Sequence, residues 1–139
     1  MEDAEGKLSK SGEQRLTLSE IFEKYGSLQM RFYLLGHHYR ENTPFDIESF
    51  ERACEEYNAL NRVAEKSMTY EMAEIESALL FEILKKMENS MNDDLNTPAV
   101  IDLIREVDRM AKERMENESE MGQISSIYSV FKKTLGIFL

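Results

Sequence analysis

Apolar residues recur at spacings of three and four through most of the chain, and that period constrains the fold more than any other feature. An α-helix turns once in about 3.6 residues, so each such series becomes a stripe on one helical face that another element must cover. The first series is Leu28, Phe32, Leu35 and Tyr39, and the second is Phe50, Ala53, Cys54, Tyr57, Leu60 and Ala64. A third runs through Met72, Ile75, Leu79, Ile83 and Met87, widened by Leu80 and Leu84, and begins near Thr69. Val100, Leu103, Ile104, Val107 and Met110 form a fourth, and Ile124, Ile127, Phe131 and Leu135 a fifth. With only two prolines in 139 residues and few β-branched alternations, these stripes have only one another to pack against. The expected fold is all-α: an antiparallel bundle of about four to five helices, preceded by a loop and short helices.

Helix boundaries follow from capping chemistry. Thr17 or Ser19 can cap a short helix that carries Glu20 in its first turn and ends at Gly26, after which Ser27 can cap the next. The segment from Glu41 to Pro44 breaks that second helix, and Asp46 can cap a longer one. After a turn from Asn92 to Asn96, Thr97 is placed to cap a helix with Pro98 at its first position, where a missing N–H costs nothing. The final helix is expected from about Glu120 to Leu135, closed by Gly136. Residues 1 to 15, with Gly6, Gly12 and little aliphatic content, read as a mobile loop.

Composition narrows the function classes. Lys and Arg total 17 against 27 Asp and Glu, a net charge of −10, which argues against broad, non-specific nucleic-acid binding but leaves room for a local basic patch. The single cysteine, Cys54, can form no internal disulfide and reads as a small buried core residue suited to a reducing cytoplasm. No apolar run approaches the ~20 residues needed to cross a bilayer, so no membrane partner is expected. The nine methionines read as adaptable core filling.

Beside this pattern stands an ordered series of short motifs. Gly6-Lys7-Leu8-Ser9-Lys10-Ser11 comes first, followed by Leu16-Thr17-Leu18, Lys24-Tyr25, Arg31-Phe32-Tyr33-Leu34-Leu35 and His38-Tyr39-Arg40. Met91-Asn92-Asp93-Asp94-Leu95-Asn96-Thr97-Pro98 follows much later. The first resembles the KMSKS loop of class I aminoacyl-tRNA synthetases, with Leu8 where methionine is usual. Taken in order, the series is similar to the cysteinyl-tRNA synthetases from that loop through their helical bundle. The chain departs from the family at Gly12-Glu13-Gln14-Arg15 and at Glu41-Asn42.

The resemblance implies an enzyme that joins cysteine to its tRNA with ATP. Residues 1–44 would hold the KMSKS-like loop and a stem-contact segment, and residues 45–139 a bundle resembling the domain that binds the anticodon stem. By carry-over, Lys7 and Lys10 would be catalytic, Lys10 as the main cation and Lys7 as its assistant, because ammonium groups can close on charge that develops as pyrophosphate leaves. Lys7, Ser9, Lys10 and Ser11 would together meet the ATP phosphates. The family's histidine-containing HIGH-type motif has no counterpart here, since His37-His38 is followed by Tyr39-Arg40. Its zinc-binding cysteine and histidine set is also missing, so ATP and zinc are expected only with a separate catalytic domain. The chain alone is expected to carry out no ATP–pyrophosphate exchange, and Met1 is expected to be a boundary within a longer protein.

Within the bundle, Arg105, Arg109 and Lys112 share one face of a helix and could meet a phosphate backbone, with Arg114, Lys132 and Lys133 as extensions if the last two helices are neighbours. Glu106, Asp108 and Glu113 are interleaved with them, so a solvated, salt-bridged face remains an equal alternative. His37 and His38 are expected to meet the carbonyls at a helix end. Asp94 and Asn96 are expected to serve as turn and cap residues. Three readings stay open: part of a cysteine–tRNA ligase, a free-standing bundle binding tRNA or a protein, or part of a related ligase joining cysteine to a small amine. The oligomeric state is not legible.

Overall fold

The computed structural model describes residues 7–10, 14–42 and 44–138. Among these are six helices and one two-stranded hairpin, and the chain divides into two compact units, Met1–Asn58 and Ala59–Leu139. The all-α expectation holds.

In the first unit, β1 (Lys7–Lys10) pairs antiparallel with β2 (Gln14–Thr17), Lys7 opposite Thr17 and Leu8 opposite Leu16. These residues were expected to be a mobile loop. What the helical period could not register is the ladder itself, and Leu16 packs against the unit's core as its anchor. Thr17 then caps α1 (Leu18–Tyr25): its Oγ1 accepts from the Glu20 N–H at 3.2 Å while Glu20 Oε2 accepts from the Thr17 N–H at 2.6 Å, a reciprocal capping box.

Gly26, at φ 101°, closes α1 and is also the N-cap of α2 (Ser27–Leu35), so Ser27 is the first helical residue and not the cap. Helix α2 stops at Gly36, whose N–H bonds back to Phe32 O and Tyr33 O. The break therefore comes before the segment from Glu41 to Pro44, and Tyr39 lies beyond the helix, 59% exposed instead of completing the stripe. Asp46 caps α3 (Ile47–Ser67), its Oδ2 accepting from the Ser49 N–H at 3.0 Å. The core joins Ile21, Met30, Tyr33, Phe50 and Cys54, with Phe50 edge-on to both Tyr25 and Tyr33. Burial pushes the Cys54 thiol up to about 11, aided by the carboxylates of Glu51 and Glu55.

The second unit contains the end of α3 with α4 (Ala78–Asn92), α5 (Thr97–Arg114) and α6 (Glu118–Leu135). The last three helices pack pairwise. Val100, Ile104, Val107 and Ala111 of α5 are fully buried, as are Met121, Ile124, Ile127, Tyr128 and Phe131 of α6. Gly136, in the left-handed conformation, ends α6 and turns Ile137 and Phe138 into the core, where Phe138 meets Tyr128 edge-on. Asn117 caps α6 through the Glu120 N–H.

Two expectations fail here. The helix expected through Met72 and Ile75 begins only at Ala78, and residues 71–77 form an extended strap along α6. Side chains and backbone of α6 satisfy the strap's polar backbone: Gln123 Oε1 accepts from the N–H groups of Glu76 and Ser77, and Ser125 and Ser126 donate to Tyr70 O and Ala73 O. The Ala73 N–H donates to Gly122 O at 3.0 Å. Gly122 permits this approach, because a Cβ there would lie 2.8 Å from Glu71 O. The second failure is at α5, where Asn96 is the cap, its Oδ1 accepting from the Ala99 N–H; Thr97 is therefore the first helical residue and Pro98 the second.

Candidate nucleic-acid interface

The cations of α5 stand on its solvent side because the opposite side is spent on the core. Arg105, Arg109 and Lys112 are all exposed, but their electrostatic situations differ. Arg105 Nη1 bonds Asp102 Oδ1 at 2.6 Å, an exposed pair in which water competes on both sides. Lys112 Nζ lies 2.8 Å from Asp108 Oδ2, and that aspartate side chain is only 10% exposed, with its Oδ1 buried and unpartnered. Drawing Lys112 away to a phosphate would strip a nearly buried carboxylate of its counter-charge, so Lys112 is committed to the fold. Arg109 is in neither situation: it has no ionic or hydrogen-bond partner among the described residues. Of the three cations, it alone offers its guanidinium without first breaking an ion pair.

The last two helices are neighbours, as the suggested extension of this row requires. Arg114 donates to Met110 O and pairs with Glu113 and with Glu120 in the first turn of α6. Lys132 and Lys133 lie in the last turn of α6, with Lys132 about 18 Å further along that helix from Glu120. The row is Arg105 to Lys112, with Arg109 at its centre.

A second cationic and aromatic group follows α2. His37 Nδ1 donates to Tyr33 O at 2.9 Å, the helix-end carbonyl contact expected of both histidines. His38 Nδ1 accepts the Arg40 N–H at 3.2 Å, and its ring stacks on Tyr39 with centroids 4.9 Å apart. Arg40 lies over the Tyr39 ring at 5.5 Å, and its Nε donates to Tyr39 Oη at 3.0 Å.

The remaining candidates are less informative. Lys7, Ser9 and Lys10 are residues of β1, placed by their backbone, and Ser11 lies outside the described residues. Asn96 serves as a cap, and Asp94 and Leu95 occupy left-handed conformations, φ 52° and 54°, in the turn before α5. Among the described residues no group of three or more histidine, cysteine, aspartate or glutamate side chains is placed to hold a metal ion, and no helix is long and apolar enough to cross a membrane.

The α5 row falls inside a segment, residues 86–139, that matches the DALR domain family. A cysteine–tRNA ligase of Methanosarcina mazei is 30% identical over 95% of this chain, and one of Lachnoclostridium phytofermentans is 33% identical over 88% of it. Its relatives are cysteine–tRNA ligases, and it matches their C-terminal part. A third such ligase, from Shewanella pealeana, is 25% identical over 95% of the chain. The chain spans 30%, 29% and 30% of the lengths of these three relatives. The DALR segment takes in part of α4 and all of α5 and α6.

Sequence reasoning located the α5 cations but could not rank them, because the ranking depends on the burial of Asp108. It also treated His38-Tyr39-Arg40 as a mark of resemblance and counted Tyr39 as core. The early helix stop at Gly36 was the available signal that Tyr39 would emerge at the surface.

Proposed function

We propose that the chain serves as the tRNA-contacting C-terminal part of a cytoplasmic cysteine–tRNA ligase. The α4–α6 bundle bears on cysteine-accepting tRNA, and the β1–β2 hairpin carries Lys7 and Lys10 toward ATP held by a separate nucleotide-binding domain. The observation that carries this reading is Arg109, a guanidinium without a partner among the described residues, at the centre of an exposed cationic row inside the DALR segment. On a chain of net charge −10, affinity for RNA must come from such a local group and not from an overall field.

In this reading Lys7 and Lys10, both on one strand of an anchored hairpin, supply positive charge at the ATP phosphates, with Ser9 and Ser11 beside them. Zinc belongs to the separate domain. The donors here do not fit it: Cys54 is buried with its thiol protonated at neutral pH, and His37 is engaged with Tyr33 O.

The test is a titration of the 139-residue chain with cysteine-accepting tRNA and with other tRNAs at two salt concentrations. Preferential, salt-sensitive binding of the cysteine-accepting tRNA is the expected result. Equal or undetectable binding to all of them would overturn the reading.

A further inference from the structure

We propose that α4 carries a self-association surface, through which two copies of this chain pair with their α4 helices antiparallel about a twofold axis. The surface lies on a different helix from the α5 row, and its test needs no RNA.

Two apolar stripes run along α4. Leu80, Ile83 and Met87 are buried in the bundle and meet the helix's share of the core. Offset from them by one position, Phe81, Leu84, Glu88 and Met91 follow at spacings of three, four and three, so they share a neighbouring face. That face is poorly covered: Phe81 is 63% exposed, and Leu84 and Met91 are only half-buried. A large ring left in water, on a helix whose core contacts are already made by another stripe, marks a contact surface. The spacing is that of the seam positions of a coiled coil, where each side chain enters a hole between four residues of the facing helix.

Charge selects the occupant. Lys85 and Glu88 are both exposed on this side of α4, and neither has an ionic partner among the described residues, whereas the adjacent Lys86 pairs with Glu82 at 3.5 Å. A fitting partner must set an anion against Lys85 and a cation against Glu88. A second α4 does both when it runs antiparallel: the register that puts Lys85 opposite Glu88 of the second copy also puts Glu88 opposite Lys85 of that copy, so the twofold axis makes the pair twice. The same register sets Phe81 against Met91 and Asn92 of the second copy. A parallel pairing in register would instead set lysine on lysine and glutamate on glutamate. A purely apolar partner would leave both charges unmatched.

One helix face with two exposed ion pairs makes a small interface, so the expected dissociation constant is on the order of 10–100 µM. The test is sedimentation equilibrium of the 139-residue chain over about 5–500 µM, a range that brackets that constant. The native chain is expected to pass reversibly from monomer to dimer. Phe81→Asp should weaken dimerisation by about tenfold or more, because it places a charge on the apolar seam. Lys85→Glu and Glu88→Lys should each weaken it by about tenfold, since each sets like charges opposite one another at both symmetric positions. The double variant Lys85→Glu/Glu88→Lys restores opposite charges and should return to within a few-fold of the native constant. Thermal melting checks that each variant folds, as expected at exposed positions. A native chain that stays monomeric throughout the range would overturn the proposal. So would a dimer that Phe81→Asp leaves unchanged, or a double variant that associates no better than the single ones.

Discussion

Replacing Gly122 with alanine should destabilise the chain, although Gly122 sits inside a helix where the same change ordinarily helps. In a helix interior alanine is favoured over glycine by about 1 kcal/mol. Here the added Cβ would stand 2.8 Å from Glu71 O and 3.1 Å from Ala73 Cβ. The nearer of these is strap backbone, which cannot rotate away as a side-chain tip can. Lifting the strap breaks the Ala73 N–H bond to Gly122 O and the Ser126 hydroxyl bond to Ala73 O, and strains the two bonds made by Gln123. At about 1 kcal/mol net for each hydrogen bond, losing the first two costs ~2 kcal/mol against the ~1 kcal/mol gained. Gly122→Ala is therefore expected to be less stable by about 1 kcal/mol or more in urea titrations, with faster amide exchange at Ala73. A variant more stable than the native chain by ~1 kcal/mol would refute the account of the strap.

Four further outcomes follow from the packing. Burial first, and the Asp108 carboxylate second, raise the Tyr128 phenol above its ordinary value, so the folded chain keeps it neutral where the unfolded chain ionises. Its contribution is intact below about pH 10 and declines above that by up to ~1.4 kcal/mol per pH unit; Tyr128→Phe should flatten this part of the stability profile measured by denaturant titration. The same variant should cost little stability at neutral pH, since the hydroxyl is buried with no hydrogen-bond partner among the described residues. Cys54, buried and with its thiol pushed up to about 11, should react with a thiol reagent at pH 8 only slowly in the native chain and quickly in denaturant; rapid native reaction would contradict its placement. Lys112→Ala should lower stability by about 1–2 kcal/mol by leaving Asp108 without its counter-charge, whereas Arg105→Ala, which opens an exposed pair, should change stability by less than ~1 kcal/mol in the same thermal melts.

Much of the bundle was legible because helical periodicity reports burial directly. The stripes of α5 and α6 are core residue for residue, and Thr17, Asp46 and Gly136 do the capping work their chemistry suggests. The strap escaped because Met72 and Ile75 continue the period of α4 by coincidence, while what holds residues 71–77 extended is Gly122 and Gln123, some 46 to 47 positions away in the paired bonds. Such a contact leaves no local trace. The hairpin escaped for a related reason, since strands as short as Lys7–Lys10 and Gln14–Thr17 carry too few residues for alternation to be read. In the candidate site, spacing put Arg105, Arg109 and Lys112 on one face, but the distinction between a committed lysine and a free arginine is a matter of how deeply Asp108 is buried.

The central claim, that this chain meets tRNA through a cationic row centred on Arg109, is tested most directly by the salt dependence of its affinity for cysteine-accepting tRNA with and without Arg109→Ala. Removing a guanidinium that contacts a phosphate should weaken binding and reduce the slope of log affinity against log salt by about 1, with thermal stability unchanged. An Arg109→Ala variant with the native slope and affinity would contradict the claim.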